Sequence, residues 1–240
     1  MKSLALAAAG LSALVVTHAA AAEFTGGEIQ LSYSQFAQDQ GGLTLSKTSL
    51  DTSVEYGFSR NVGMQFDLGT KYYGASSSSG YAVAMHGQYH VNDNATLGVF
   101  IGQDGFSSGT VMFAGVEAGI ETNRMSLEAF AMSDIEDNSN GRILGLSADY
   151  DINGIWKVTG NLESGNYGGG NAEISRYSVG VRYETGSRFA FTADIGAARG
   201  VSLGVSSNDT FFAIGGQWTM GTKRGTTFGS RSLLSPIPGL

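Results

Sequence analysis

Residues 175–195 read SRYSVGVRYETGSRFAFTADI, two alternating segments joined by a short polar turn. Tyr177, Val179, Val181 and Tyr183 fall on one face, while Arg176, Ser178, Gly180 and Arg182 fall on the other, because side chains alternate across a strand. After Glu184-Thr185-Gly186-Ser187 the alternation resumes, with Phe189, Phe191, Ala193 and Ile195 opposite Ala190, Thr192 and Asp194. The pattern is an antiparallel hairpin with one apolar and one polar face. What those faces meet decides the class of the protein.

The same unit repeats along the chain. Apolar stripes recur at Ile29-Leu31-Tyr33, Leu50-Val54-Tyr56, Met64-Phe66-Leu68, Val83-Met85-Tyr89, Leu97-Val99-Ile101 and Val116-Ile120. They continue at Leu127, at Leu144-Leu146-Tyr150, at Trp156-Val158-Leu162, through the opening hairpin, and at Phe212-Ile214-Trp218. This predicts an all-β chain of about 12 strands, with 10 or 14 the neighbouring even counts. Connections alternate between short turns, such as Ser59-Arg60-Asn61, Asn92-Asp93-Asn94 and Asn153-Gly154, and longer stretches, such as Asp104–Gly109, Ser133–Gly141 and Arg199–Asp209. Antiparallel up-and-down transmembrane β-barrels are built this way, with short periplasmic turns and longer extracellular loops.

Alternation alone does not separate a barrel that is apolar inside from one that is apolar outside. The aromatic residues do. Phe58, Tyr89, Tyr150, Trp156, Tyr183, Phe189 and Trp218 sit on the apolar face beside short turns, and Tyr33, Tyr72, Tyr81, Tyr177 and Phe212 sit beside the longer connections. Two aromatic belts are expected where a barrel wall crosses the two interfaces of a membrane.

The start of the chain points the same way. Lys2, an apolar run over Leu4–Val16 and the small residues Ala19–Ala22 read as an export signal peptide over residues 1–22, with the mature chain starting at Glu23. The run is shorter than the roughly 18 residues a spanning helix needs, and no later segment approaches that length. A membrane-embedded chain without such helices must be a closed barrel. Cysteine is absent, prolines number 2 and glycines 36, which suits a continuous ladder without disulfides or thiolate sites. A net charge of −7 argues against nucleic acid as a partner.

The barrel is expected over residues 23–220. Residues 221–240, with Pro236 and Pro238, do not read as a further strand and form a periplasmic tail or a plug of the lumen. Gly215–Met220 is similar to the closing-strand pattern, so the signal read by the barrel insertion machinery lies there, or else the tail ending at Leu240 carries a weakened one.

The polar face lines the lumen. Its pore-lining candidates are Glu28, Asp51, Glu55, Asp67, Lys71, Glu117, Glu128, Asp149, Lys157, Glu163, Arg176, Arg182 and Asp194, joined by Lys47. Acids outnumber bases, which predicts weak cation preference if the lumen is open, and a charge-paired network if it is closed. His86 and His90 are candidate bases for Ser32 or Ser53, but no nucleophile-elbow motif accompanies them. At i and i+4 on a strand they lie about 13 Å apart, too far to share a metal ion. Gly168-Gly169-Gly170 lacks the lysine and the strand-to-helix context of a phosphate loop. No catalytic, cofactor or metal site is expected.

Three stretches, Glu23–Ile29 (EFTGGEI), Gly87–Asp93 (GQYHVND) and Gly225–Ser232 (GTTFGSRS), resemble the small porin-like outer-membrane proteins of alphaproteobacteria. The resemblance implies a Gram-negative outer-membrane porin, a passive diffusion channel for small hydrophilic solutes and ions, surrounded by outer-membrane lipids and lipopolysaccharide. The alternative is a closed structural or interaction barrel serving surface adhesion or envelope integrity.

Overall fold

The computed structural model describes residues 22–38, 45–106, 109–136, 141–168, 172–186, 188–202, 205–221 and 225–236. Most of the expected leader, the tips of several connections, Gly169-Gly170 and the last four residues lie outside the described residues. Twelve strands follow in order: β1 (Glu23–Phe36), β2 (Ser46–Gly57), β3 (Val62–Tyr73), β4 (Ser78–His90), β5 (Ala95–Phe106), β6 (Gly109–Glu121), β7 (Met125–Asp134), β8 (Arg142–Asp151), β9 (Trp156–Tyr167), β10 (Ala172–Glu184), β11 (Phe189–Ser202) and β12 (Val205–Gly221). Each pairs antiparallel with its sequence neighbours, and β1 closes on β12 from Gly26↔Gly221 to Phe36↔Phe211. Closure leaves the sheet no free edge, the condition for placing it in hydrocarbon.

The barrel is inside out relative to a soluble one. Leu144 is 64% exposed, Val99 62% and Ile195 61%, while Gln65 and His86 are 0% exposed. Apolar side chains therefore cover the outer wall and polar ones fill the lumen, as the period-two pattern requires once the surrounding solvent is lipid. At the rim of short turns, the near rim, Trp156 packs on Tyr183 with ring centres 4.8 Å apart, and Phe189 stacks on Trp218 at 6.1 Å. These pairs form part of the aromatic girdle. The near-rim turn at Asn153-Gly154 uses a left-handed glycine, φ +78° at Gly154, with the Asn153 side chain accepting from the Trp156 amide.

A charge on the lipid face should be costly. Val179, at mid-wall on β10, is 60% exposed. Val179→Arg is expected to destabilise the barrel by about 2–4 kcal/mol, measured by reversible urea unfolding in bilayers, whereas the inward neighbour Ser178 sits outside this rule.

One part of the predicted architecture needs correction. The far rim does not carry uniformly long loops. Strands β5 and β6 end at Phe106 and restart at Gly109, β11 and β12 end at Ser202 and restart at Val205, and β3–β4 turn over residues 74–77. Strand β12 runs 17 residues, with Phe212 of the far belt near its middle. The apolar alternation stops where the hydrocarbon stops, but the backbone ladder continues above it, since ladder hydrogen bonds do not depend on apolar side chains. The stretches expected as loops at Asp104–Gly109 and Arg199–Asp209 are largely hairpin.

Candidate functional site

All thirteen predicted lumen residues lie on the inward side of their strands, but they do not line one open pore. The chain turns back at Gly221, with φ +87°, and residues 225–236 run up the inside of the barrel. The fold makes room for this re-entry at Gly26, where any side chain would overlap the Gly225 carbonyl.

The segment climbs by a series of matched polar contacts. Near the near rim, the Thr227 amide donates to Glu55 at 2.8 Å and the Phe228 amide to Gln65 at 3.2 Å. Gln65 returns a bond from its Nε2 to the Phe228 carbonyl at 2.8 Å. At mid-depth, Arg231 donates from Nε and Nη2 to Glu117, at 3.1 and 2.9 Å, and from Nη2 to Glu128. Higher still, the Ser232 hydroxyl and the Leu233 amide both donate to Asp104, at 3.1 and 2.7 Å. Close to the far rim, the Ser235 hydroxyl donates to Glu163 at 2.8 Å, and the Ser235 carbonyl accepts from Lys47 at 3.3 Å and Arg176 at 3.4 Å.

Behind Arg231 a second row of charge is fully enclosed. His86 contacts Glu117 through Nδ1 at 2.7 Å and Asp67 through Nε2 at 2.9 Å. Two acceptor carboxylates satisfy both ring nitrogens only when a proton sits on each contact, so the imidazolium is the fitting state. Burial acts to lower the Arg231 pKa, but Glu128 and Glu117 outweigh it and hold the guanidinium above its ordinary value, so it stays charged. The row His86–Glu117–Arg231–Glu128 alternates in sign across the lumen.

The predicted lumen residues thus divide into two sets. Glu55, Asp67, Glu117 and Glu128 face inward but are engaged by the segment or by His86, and three of them, Glu55, Asp67 and Glu117, are nearly inaccessible. The C-terminal segment covers that wall: Glu55, Glu117 and Glu128 accept from its backbone amides and its guanidinium, and Asp67 is held by His86 behind them. Glu163 and Arg176 meet the segment at Ser235 and also line the remaining space, with Asp51, Lys71, Asp149, Lys157, Arg182 and Asp194, while Glu28 faces inward on β1. Lys157 pairs with Glu184 at 2.6 Å, and Arg176 stands over the Phe211 ring at 4.7 Å, close to Glu163.

That space lies along β9–β12 and β1. A cavity of about 710 Å³ opens at the near rim, lined by Asp149, Lys157, Arg182, Glu184, Ala190 and Gln217 among others. A second, of about 230 Å³, is lined by Asn161, Arg176, Ser178, Thr192, Asp194 and Ala213, with Lys47, Asp51 and Lys71 facing them. On each of β9 to β12 the residues lining the second cavity lie farther from the near rim than those lining the first, so the two succeed each other up one wall.

The lumen also has an apolar part that the alternation assigned to polar side chains. Phe100, Phe113, Met132 and Ile143 point inward and pack with Leu233 of the segment. An inward aromatic on an otherwise polar face was the available signal for it. Gln65, Asp104 and Arg231 join the lumen network without having been expected there, as does Gln88, which donates to Gln65 at 3.1 Å. As for hydrolytic chemistry, both His86 nitrogens are engaged by carboxylates and His90 contacts Thr96 at 2.8 Å, so His86 directs no lone pair at Ser32 or Ser53.

No protein-family model matches the sequence, and no curated protein matches it. Among solved structures, the chain is similar to the KdgM porin, with a TM-score of 0.60 at 16% identity over 80% of this chain and 98% of that one. It is also similar to the NanC porin (0.58, 12%, 80% and 98%) and to an outer-membrane channel from Pseudomonas putida F1 (0.55, 9%, 82% and 95%). The KdgM porin has also been solved in complex with a disordered oligogalacturonate. At these identities the likeness is one of fold: a closed antiparallel transmembrane barrel.

Proposed function

We propose that the protein is an outer-membrane channel for passive diffusion of small hydrophilic solutes and ions, exported by its leader, and that it is not an enzyme. One observation carries the reading: two polar cavities succeed each other along β9–β12, the farther one bounded on its other side by Ser230, Ser232 and Ser235 of the C-terminal segment. The porins and channel of similar fold support it. Residues 221–240 act in this reading as a lumen plug that narrows the path, and the short turns face the periplasm.

The expected cation preference weakens once the acids are assigned to partners. Around the two cavities Asp51, Glu121, Asp149, Asp151, Glu163, Glu184 and Asp194 stand against Lys47, Lys71, Arg124, Lys157, Arg176, Arg182 and Arg188, an even balance. The native channel should therefore show small conductance steps in planar bilayers and a reversal potential close to zero across a KCl gradient. Replacing both Arg176 and Arg182 by alanine should move that potential toward cation selectivity, because fixed charge of one sign along a narrow path sets which ion enters. An absence of current under all conditions would favour the closed structural barrel instead.

A further inference from the structure

The contacts of Arg231 come entirely from the barrel wall. Glu117 lies on β6, Glu128 and Phe130 on β7 and Phe100 on β5, and the guanidinium carbon stands 4.1 Å from the centre of the Phe130 ring and 5.7 Å from that of Phe100. One carboxylate oxygen of Glu117 receives two guanidinium donors while its other oxygen is fixed by His86. The rings are fixed as well: Phe130 lies over Gly145 and Phe100 over Gly115, where an added methyl would overlap them. Two carboxylates beside two aromatic faces form a shape that suits a flat, delocalised cation with several donors and suits a compact ammonium poorly. Besides the guanidinium, Glu128 accepts from the Gly229 amide of the segment at 3.3 Å.

We propose that the cradle of Glu117, Glu128, Phe130 and Phe100 is a guanidinium-binding site in the lumen for solutes such as arginine and short arginine peptides, and that Arg231 is the internal ligand that keeps it occupied. Arg231 is the one charged residue in the segment 225–236, so its cradle is the segment's ionic anchor. Without it, Glu117 and Glu128 remain beside Asp67 and His86 with an excess of negative charge in an enclosed wall, a site that draws in a cation. A tethered ligand competes at an effective concentration on the order of millimolar, so a free solute must reach that range to displace it. An extended arginine peptide does better than arginine alone, because its amides can also reach Glu55 and Asp104. Displacement frees the anchor of the plug and widens the path, a consequence for conduction that rests on the channel reading; the binding itself does not.

Full-length Arg231→Ala protein tests the site by chemical rescue. Methylguanidinium should raise its melting temperature saturably and reduce its conductance, while methylammonium at the same concentration leaves both unchanged and the native protein responds to methylguanidinium only at the higher concentrations that displace Arg231. Equal effects of the two cations, or an unaltered rescue in Arg231→Ala/Glu117→Gln, would overturn the proposal. If the alanine variant does not assemble, Arg231→Lys takes its place under the same comparison. A thermal response in a protein that never conducts would keep the site and remove the channel.

Discussion

Ending the chain at Gly221 is expected to raise single-channel conductance several-fold while the barrel still inserts. The segment 225–236 stands in the lumen from Gly26, near one rim, to Lys47 and Arg176, near the other, so its removal opens the wall from β2 to β8 to water. The barrel does not rely on it for closure, since β1 and β12 pair directly from Gly26↔Gly221 to Phe36↔Phe211. Planar-bilayer recording gives the conductance, and the heat-dependent shift in gel mobility shows whether the truncated chain is folded. Unchanged conductance would mean that the path already bypasses the segment. Loss of insertion would place the assembly signal within 222–240 instead of Gly215–Met220.

The second large effect belongs to Arg231→Ala in the intact chain. It leaves Glu117, fully enclosed, with only His86 against two carboxylates, and removing one member of a buried ion pair costs about 3–5 kcal/mol. Urea unfolding followed by the fluorescence of Trp156 and Trp218 should show that loss, and Glu117→Gln added to Arg231→Ala should recover much of it. The single variant should also make the channel cation-selective, because two carboxylates lose their counter-charge. A single variant as stable as the native protein would show that the row of alternating charge contributes little to folding.

Much of this fold was legible in the sequence because lipid and water impose opposite demands on alternate residues. Tyr177-Val179-Val181-Tyr183 could face only hydrocarbon once the aromatic belts were recognised, and the count of twelve strands followed from repeating that test. Strand length was not legible, because above Phe212 the ladder has no apolar partner to satisfy and leaves no period to read. The lumen charges were visible as a set, but not as pairs. Arg231 and Glu117 are 114 residues apart, and which acid meets which base depends on the register of strands brought together by closure. The composition therefore suggested an acidic pore, whereas the folded chain assigns much of that acid to its own C-terminus.

The re-entry at Gly221 gives the lumen a direction. The segment re-enters at the near rim, its far end rests beside Lys47 and Arg176, and Arg231, the one charged side chain of residues 225–236, lies between. A field that pulls cations toward the far rim draws the segment taut and seats it, while the opposite field pushes Arg231 back toward the re-entry and unthreads it. If the barrel conducts as proposed, it should accordingly rectify, behaving as a check valve with its flap hung on the rim of short turns.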